Sequence, residues 1–144
     1  MTGFVTIGQA AGATGCKVQT VRYYEQIGLM PEPARTTGNQ RLYSEADLQR
    51  LAFVRHAREL GFPLPAVRDL LRLADSPSQS CEAADSIARE QLGQVKRRIT
   101  RLQALKRELE RMIAQCAGGS IAECRVIEVL GDHSKCIDAR HPSA

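Results

Sequence analysis

The stretch that decides the fold is IGQAAGATGCKVQTVRYYEQIG, residues 7–28, in which two helix patterns are separated by a glycine. Thr6 stands directly before the first pattern and predicts its N-terminal cap. Gly15 predicts a tight turn between the patterns, and Gly28 predicts the end of the second helix. Apolar residues of the second pattern fall broadly on one side of a helix. The stretch therefore predicts helix, glycine turn, helix.

The segment that follows, LMPEPARTTGNQRLYS, predicts a small hairpin. Its two prolines oppose a helix, and Gly38 and Asn39 lie between two short extended runs. Ser44 then begins a capping-box pattern, which predicts another helix that ends at Gly61. Pro65 suits the first turn of a further helix, where its missing N–H costs nothing.

The polar stretch DSPSQS, residues 75–80, predicts a domain boundary. From Cys81 to Cys116 there is no proline and only one glycine, which predicts a single long helix. The chain is thus divided into residues 1–75, a linker and long helix over 76–116, and a loop and tail over 117–144.

Composition narrows the class of protein. The chain has 144 residues, 43% of them hydrophobic, which is ordinary for a folded soluble protein. No apolar run is long enough to span a membrane and the N-terminus lacks a signal-peptide pattern, so we expect a cytoplasmic protein without a membrane partner. The net charge of +4 permits nucleic-acid binding without requiring it.

The long helix carries a heptad pattern. One seam position is occupied by Leu92, Ile99, Lys106 and Ile113, and the other by Ala88, Val95, Leu102, Leu109 and Cys116. Only the lysine is out of character. Because one amphipathic helix cannot bury such a stripe alone, the simplest partner is the same helix of a second copy. The pattern predicts a homodimer.

Two of the cysteines lie on the seam of this heptad pattern. Cys81 and Cys116 share a seam position because they are 35 residues, or five heptads, apart. They cannot meet within one chain, since a helix of that length separates them by about 52 Å. In an antiparallel pair, however, Cys81 of one chain would lie beside Cys116 and Cys124 of the other. A parallel pair would keep them apart.

Three thiolates suit a soft or borderline cation. Zn, Cd, Hg and Pb bind sulfur, whereas Mg and Ca prefer oxygen. The start of a helix at Cys81 favours the thiolate form, and Gly118 and Gly119 allow the loop to fold over an ion. His133 and Cys136 are candidates for a fourth ligand, as is water.

Simpler interpretations stay open for each cysteine and histidine. Cys81 or Cys116 taken alone could be a small apolar seam residue, and Cys16 in the tight turn is interpreted as a buried structural residue. His56 is interpreted as solvated or facing a phosphate. His133 and Cys136, and still more His141, could belong to a disordered tail.

Residues 6–71 resemble the DNA-binding domain of the MerR family of bacterial transcription regulators. The motifs that carry the resemblance are an opening IG-x-x-A, then TVRYYE-x-IGL-x-P, a wing R-x-x-G-x-x-R-x-Y, and F-x-x-x-x-x-x-LGF-x-x-x-x-x-x-x-LL. The long helix and the loop with its two cysteines extend the resemblance over nearly the whole chain.

The resemblance implies a mainly α fold. It consists of a winged helix-turn-helix DNA-binding domain over 1–75, a dimerisation helix paired as an antiparallel coiled coil, and a C-terminal metal-binding loop. It places Lys17 to Tyr24 in the major groove and the hairpin from Arg35 to Tyr43 as a wing. The implied DNA contacts are Lys17, Gln19, Thr20, Arg22, Tyr23, Arg35, Asn39, Arg41 and Tyr43, while Tyr24 is a candidate for the core.

The resemblance also implies a mechanism, with no enzymatic activity. Family members bind promoter DNA as dimers, repress without effector, and with effector bend and untwist an overlong spacer so that RNA polymerase can engage. A cysteine at the position of Cys81 accompanies divalent ions in the metal-sensing branch, where copper and gold sensors have serine. The 117–123 loop lacks a histidine and Cys116 is not doubled, which departs from the usual zinc pattern.

The favoured hypothesis is a sensor of a divalent soft metal, Zn, Cd, Pb or Hg, with Cys81, Cys116 and Cys124 as ligands and efflux or resistance genes as targets. A second hypothesis is a thiol redox switch in which Cys116 and Cys124 form a disulfide, which would not require Cys81. A third, a metal-storage or hydrolytic protein, lacks a matching constellation of residues and leaves the first half of the chain unexplained.

Overall fold

The computed structural model of this chain describes residues 3–116, 118–132 and 134. Within them the fold is mainly helical, with one two-stranded sheet. The helices are α1 (Ile7–Thr14), α2 (Val18–Gln26), α3 (Glu45–Glu59), α4 (Leu64–Ala74), α5 (Glu82–Ala114) and α6 (Arg125–Gly131). The strands are β1 (Ala34–Arg35) and β2 (Arg41–Leu42), and a short 3₁₀ turn covers Ile121–Glu123.

The predicted helix-turn-helix is confirmed by α1 and α2. Thr6 caps α1 in a reciprocal capping box with Gln9, because each backbone N–H donates to the other residue's side-chain oxygen. Gly15 then turns the chain in the left-handed region at φ 71°. A Cβ atom at this position would lie 1.6 Å from Nη1 of Arg55, so the turn needs glycine for both its backbone and its space.

The predicted hairpin is confirmed as well. β1 and β2 pair antiparallel in the register Ala34 with Leu42 and Arg35 with Arg41. Asn39 closes the loop with φ 66°, a conformation that asparagine tolerates better than most residues. We call this hairpin, residues 34–43, the wing.

Helices α3 and α4 complete the first half. Ser44 caps α3 in a capping box with Asp47, and Pro65 lies in the first turn of α4, both as predicted. These helices share one hydrophobic core with α1, α2 and the wing. Its largest fully buried side chains are Tyr43, Leu29, Leu51, Val21, Val54 and Val67.

The long helix α5 begins directly after Cys81 and ends two residues before Cys116, which confirms the predicted helix. Its seam side chains are exposed in the single chain: Leu92, Val95, Ile99, Leu102, Leu109 and Ile113. The chain forms two compact units, one up to Ala88 and one from Arg89 onward. The functional boundaries at 75/76 and 116/117 stay a prediction. Among the helices of the described residues, none combines the length and the apolar character needed to cross a membrane.

Candidate nucleic-acid interface and metal centre

Helix α2 presents a polar surface opposite the core. Val21 and Tyr24 are buried, so the other side of the helix faces outward. Burial raises the pKa of the Tyr24 hydroxyl. The predicted DNA-contact residues of this segment are exposed, or partly exposed for Thr20, and they are Lys17, Gln19, Thr20, Arg22 and Tyr23. Their side chains are therefore available to base edges and phosphates, while the contacts themselves stay a prediction.

The two arginines of the wing differ in exposure: Arg35 is exposed, whereas Arg41 is paired with a carboxylate. Arg35 is exposed, and its Nη1 donates to the carbonyl of Asn39 at 3.0 Å, which braces the loop. Arg41 is partly buried, and its Nε donates to Oε2 of Glu25 at 3.1 Å. Asn39 is exposed at the tip.

Tyr43 corrects one of the predicted DNA contacts. Its side chain is 1% exposed, and its hydroxyl donates to Oε1 of Glu25. Its backbone pairs in both directions with Val5 at 2.9 Å. A hydroxyl that is buried and already bonded to a carboxylate does not face a DNA phosphate, so Tyr43 belongs to the core and not to the DNA surface.

Glu25 is the functional residue that the sequence analysis missed. Its side chain, only 9% exposed, receives bonds from both Arg41 and Tyr43 and so joins α2 to the wing. Burial, followed by the bond to Glu25, raises the pKa of the Tyr43 hydroxyl. The available signal was a lone carboxylate within a helix assigned to DNA, where an exposed negative charge would repel phosphate.

A groove of about 400 Å³ lies at the start of α2. Three cations line it, Lys17, Arg55 and Arg58, together with Cys16 and Thr20. Arg55 donates to the carbonyl of Thr14 at 2.9 Å. Cys16, interpreted as a buried structural residue, packs against the core but is only partly buried. His56 is exposed, as its solvated or phosphate-facing interpretation requires.

The two loop cysteines come together. Cys124 precedes α6 as its N-cap residue, and the Cys116 thiol lies near enough to affect its pKa. Hydrogen bonds from the backbone N–H of Ile127 and Val126, and from the Cys116 thiol, lower the pKa of Cys124. Gly118 and Gly119 turn the intervening loop at φ 77° and 97°, which other residues rarely adopt.

Cys81 is exposed and lies in the other compact unit. Within residues 3–116, 118–132 and 134 of one chain, no three His, Cys, Asp or Glu side chains are grouped closely enough to hold an ion. His133 and Cys136, the candidates for a fourth ligand, lie outside the described residues, as does His141.

Comparison with known families accounts for the fold and the polar face of α2. Residues 5–74 match the model of the MerR helix-turn-helix family of regulatory proteins, and residues 48–112 match the model described as MerR, DNA binding. The chain belongs to the MerR family. It is therefore a DNA-binding transcription regulator, and the helix-turn-helix, the wing and the long helix are the family's parts.

Individual relatives cover most of this MerR-family chain. The HTH-type transcriptional regulator ZntR of Escherichia coli (strain K12) is 41% identical over 127 residues, 86% of this chain and 90% of that protein. The mercuric resistance operon regulatory protein of Serratia marcescens is 40% identical over 112 residues, 78% of this chain and 76% of that one. The crystal structure of PbrR691 from Ralstonia metallidurans CH34 in complex with lead(II) superposes with a TM-score of 0.74 at 40% identity, covering 88% and 98% of the two chains.

Proposed function

We propose that this protein is a cytoplasmic, homodimeric transcription regulator that represses its promoter without metal and activates it on binding a divalent soft metal ion, Zn, Cd, Pb or Hg. The observation that carries the proposal is the pair of neighbouring thiols, Cys116 and Cys124, in a MerR-family chain. Two relatives with 40% identity support a metal effector, since one regulates a mercuric resistance operon and the other was crystallised with lead(II).

The chemistry of the thiol pair suits such an ion. A lowered pKa of Cys124 means that less free energy is spent on removing its proton when a metal binds. Thiolates select soft and borderline cations over Mg²⁺ and Ca²⁺. Two thiolates alone leave the coordination of such an ion incomplete, so further ligands are needed.

The partner subunit is the natural source of the third thiolate. An unbroken helix separates Cys81 from Cys116 in the same chain, so these two cannot share an ion there. The exposed seam of α5 provides the surface on which a second copy would pack. In an antiparallel pair, Cys81 of the partner subunit would join Cys116 and Cys124. His133 and Cys136 are proposed as additional ligands.

This arrangement links the metal to DNA. Cys81 directly precedes α5 and belongs to the compact unit that contains the DNA-binding elements, so an ion bound by it would act on that unit across the dimer. A change in the relative placement of the two DNA-binding units would bend and untwist the promoter for RNA polymerase. The regulated genes are proposed to be those of metal efflux or resistance.

Mixed dimers test the shared site. One variant carries Cys81→Ser, and the other carries Cys116→Ser with Cys124→Ser. Neither homodimer has a complete set of three thiols, whereas a mixed dimer regains one set if the ligands come from both chains. We expect about one tightly bound Cd²⁺ per mixed dimer and none in either homodimer, measured by the thiolate-to-metal absorbance band during titration.

The controls separate this result from a general loss of structure. Cys16→Ser should bind metal like the wild type, because Cys16 packs against the core and is not one of the three proposed ligands. Cys81→Ser should keep its affinity for promoter DNA. A mixed dimer that binds no more Cd²⁺ than the two homodimers would rule out the cross-dimer site.

The proximity of Cys116 and Cys124 also supports a second candidate, a thiol-based redox regulator. The role of Cys81 distinguishes the two functions. A loop disulfide would form and act on transcription without Cys81, so a response to peroxide that survives in Cys81→Ser, together with no response to metal, would favour the redox regulator.

A further inference from the structure

Glu25 is an unusual residue for a helix that faces DNA. It lies in the last turn of α2, and the side chains that bond it come from the other DNA-contacting element, the wing. Arg41 Nε donates to one carboxylate oxygen and the Tyr43 hydroxyl to the other. Both oxygens of a nearly buried carboxylate are thus used to fix one element against another.

We propose that Glu25 is a positioning residue for DNA recognition, which holds the Arg41 guanidinium in one orientation as a prepared phosphate contact of the wing. The inference rests on the proposed DNA-contacting role of the wing. A guanidinium has five N–H donors, and the bond through Nε uses one of them. The two terminal nitrogens keep the planar fork that matches a phosphate.

Fixing the arginine in advance favours specific binding. A free arginine side chain loses rotamer entropy when a contact orders it, and a side chain that is already held loses less. The anchor itself is rigid, since Tyr43 is buried and its backbone is paired with Val5. The wing therefore meets DNA with Arg41 at a set distance from the base-reading side of α2.

The same carboxylate weakens non-specific binding. Affinity for any duplex comes mainly from the positive charge placed near phosphates, and Glu25 offsets the charge of Arg41. Glu25 thus has opposite effects on the two kinds of affinity. It raises affinity for the DNA that fits the wing and lowers affinity for all other DNA, so its signature is the ratio of the two dissociation constants.

Glu25→Gln tests this signature. The probes are a duplex enriched by the wild-type protein from a random-sequence pool and a shuffled duplex of the same length. We expect affinity for the enriched duplex to fall roughly tenfold, as for the loss of one charge-assisted hydrogen bond, because reading by α2 fixes the register in which Arg41 meets a phosphate. Affinity for the shuffled duplex, on which no single register is held, should stay unchanged or rise. A merely structural defect would lower both affinities together.

The matched control is Glu32→Gln, which changes the net charge by the same amount at an exposed position between α2 and β1. In this variant both affinities should rise slightly and equally, which leaves their ratio as in the wild type. If Glu25→Gln gives the same ratio as Glu32→Gln, or lowers both affinities equally, the inference is wrong.

A second variant tests whether Glu25 acts through Arg41. Arg41→Lys keeps the positive charge but loses the fork and the Nε contact. Glu25→Gln should add little further loss of preference in the Arg41→Lys background, whereas a full additional loss would overturn the inference. A wild-type protein that does not prefer the enriched duplex would overturn the proposed function, and this inference with it. Wild-type preference with an unchanged ratio in Glu25→Gln would overturn the inference alone.

Discussion

The first half of this chain, α1 to α4, and the second half, from α5 onward, both contain amphipathic helices, but they differ in how far the apolar side chains are buried. Between α1 and α4, apolar side chains such as Val21, Leu51 and Val67 are 0% exposed. Along α5, Leu102 is 57% exposed and Ile113 is 69% exposed. The difference teaches that the first half buries its apolar surface within one chain, while the second half presents a surface of the kind that a partner covers.

Polar contacts follow the same division. In the first half, arginines of α3 and α4 donate to carbonyls at the ends of earlier helices: Arg55 to Thr14 at 2.9 Å and Arg68 to Ile27. These bonds satisfy backbone groups that helix ends leave open. We therefore expect the stability of the first half to be independent of protein concentration, and that of the α5 assembly to depend on it.

Leu102→Asp should have the largest effect, because it places a charge on the apolar seam of α5 that the single chain leaves exposed. A seam leucine contributes about 2 kcal/mol on burial, and a dimer loses two of them, so we expect the dissociation constant of the dimer to rise roughly 10³-fold. Analytical ultracentrifugation measures this, and operator binding should be lost in parallel.

The matched control is Gln94→Asp, which adds the same charge at an exposed position outside the seam and should leave the dimer intact. The melting of the first half should be the same in both variants. A Leu102→Asp protein that still sediments as a dimer would show that the partner surface lies elsewhere, and the contrast between the halves would fail.

A pair of glycines in the first half gives the next largest effect. Gly15→Ala places a methyl group in the space of Arg55 Nη1 and a side chain at φ 71°, so we expect a loss of about 2 to 3 kcal/mol in the free energy of unfolding. Gly12→Ala lies in α1 with no neighbouring atom within 4 Å and should stabilise the protein by roughly 0.5 to 1 kcal/mol. Denaturant unfolding measures both, and equal effects would contradict the structural explanation of the turn.

A smaller effect is expected at Arg68 of α4, which donates to the carbonyl of Ile27 at the end of α2. Arg68→Met leaves the carbonyl of Ile27 without its donor and should cost about 1 to 2 kcal/mol of stability. Arg72→Met, on the same helix, removes only an exposed ion pair with Asp69 and should change stability by less than about 0.5 kcal/mol. Thermal unfolding separates the two variants. If Arg68→Met and Arg72→Met lose the same free energy of unfolding, the bond to the Ile27 carbonyl contributes no more than the exposed ion pair.

The sequence predicted what depends on neighbours along the chain. Thr6 and Ser44 act through residues three positions away, and Gly15 through its own backbone, so these features could be read directly. The heptads of α5 were equally local. The error at Tyr43 and the omission of Glu25 share one cause, since their contact joins residues 18 positions apart on different elements. Local patterns carry no information about which buried polar groups will meet.

The thiol pair shows the same limit in the second half. The spacing of Cys116 and Cys124 left a metal site, a disulfide and two unrelated residues as alternatives. Their proximity depends on the turn at Gly118 and Gly119 and on the start of α6, which the spacing alone does not define. The heptad register placed Cys81 on the same seam position as Cys116, but a ligand shared between two chains also depends on how the second copy packs, so the cross-dimer metal site is a proposal.

The smallest effect concerns the protonation of this pair. Donors at the start of α6 and the Cys116 thiol lower the pKa of Cys124, so its thiolate should form at lower pH than in the unfolded chain. By linkage, this shift favours the folded state at pH values above the unfolded pKa, and the contribution is lost as pH falls through the folded pKa. Alkylation of Cys124 by iodoacetamide, followed on the peptide that contains it by mass spectrometry in a Cys16→Ser, Cys81→Ser, Cys136→Ser background, reports the midpoint.

Cys116→Ser and Cys116→Ala then separate the two sources of the shift. Serine keeps a hydroxyl donor and should keep the low midpoint, whereas alanine removes the donor and should raise the midpoint part of the way. The rest of the shift should persist, because the backbone N–H groups of Ile127 and Val126 remain. Equal midpoints for serine and alanine would mean that Cys116 contributes nothing to Cys124 without metal. In that case Cys116 and Cys124 would act together only when a metal ion is bound. Glu25 and Arg41 of the first half, in contrast, form their ion pair within the single chain.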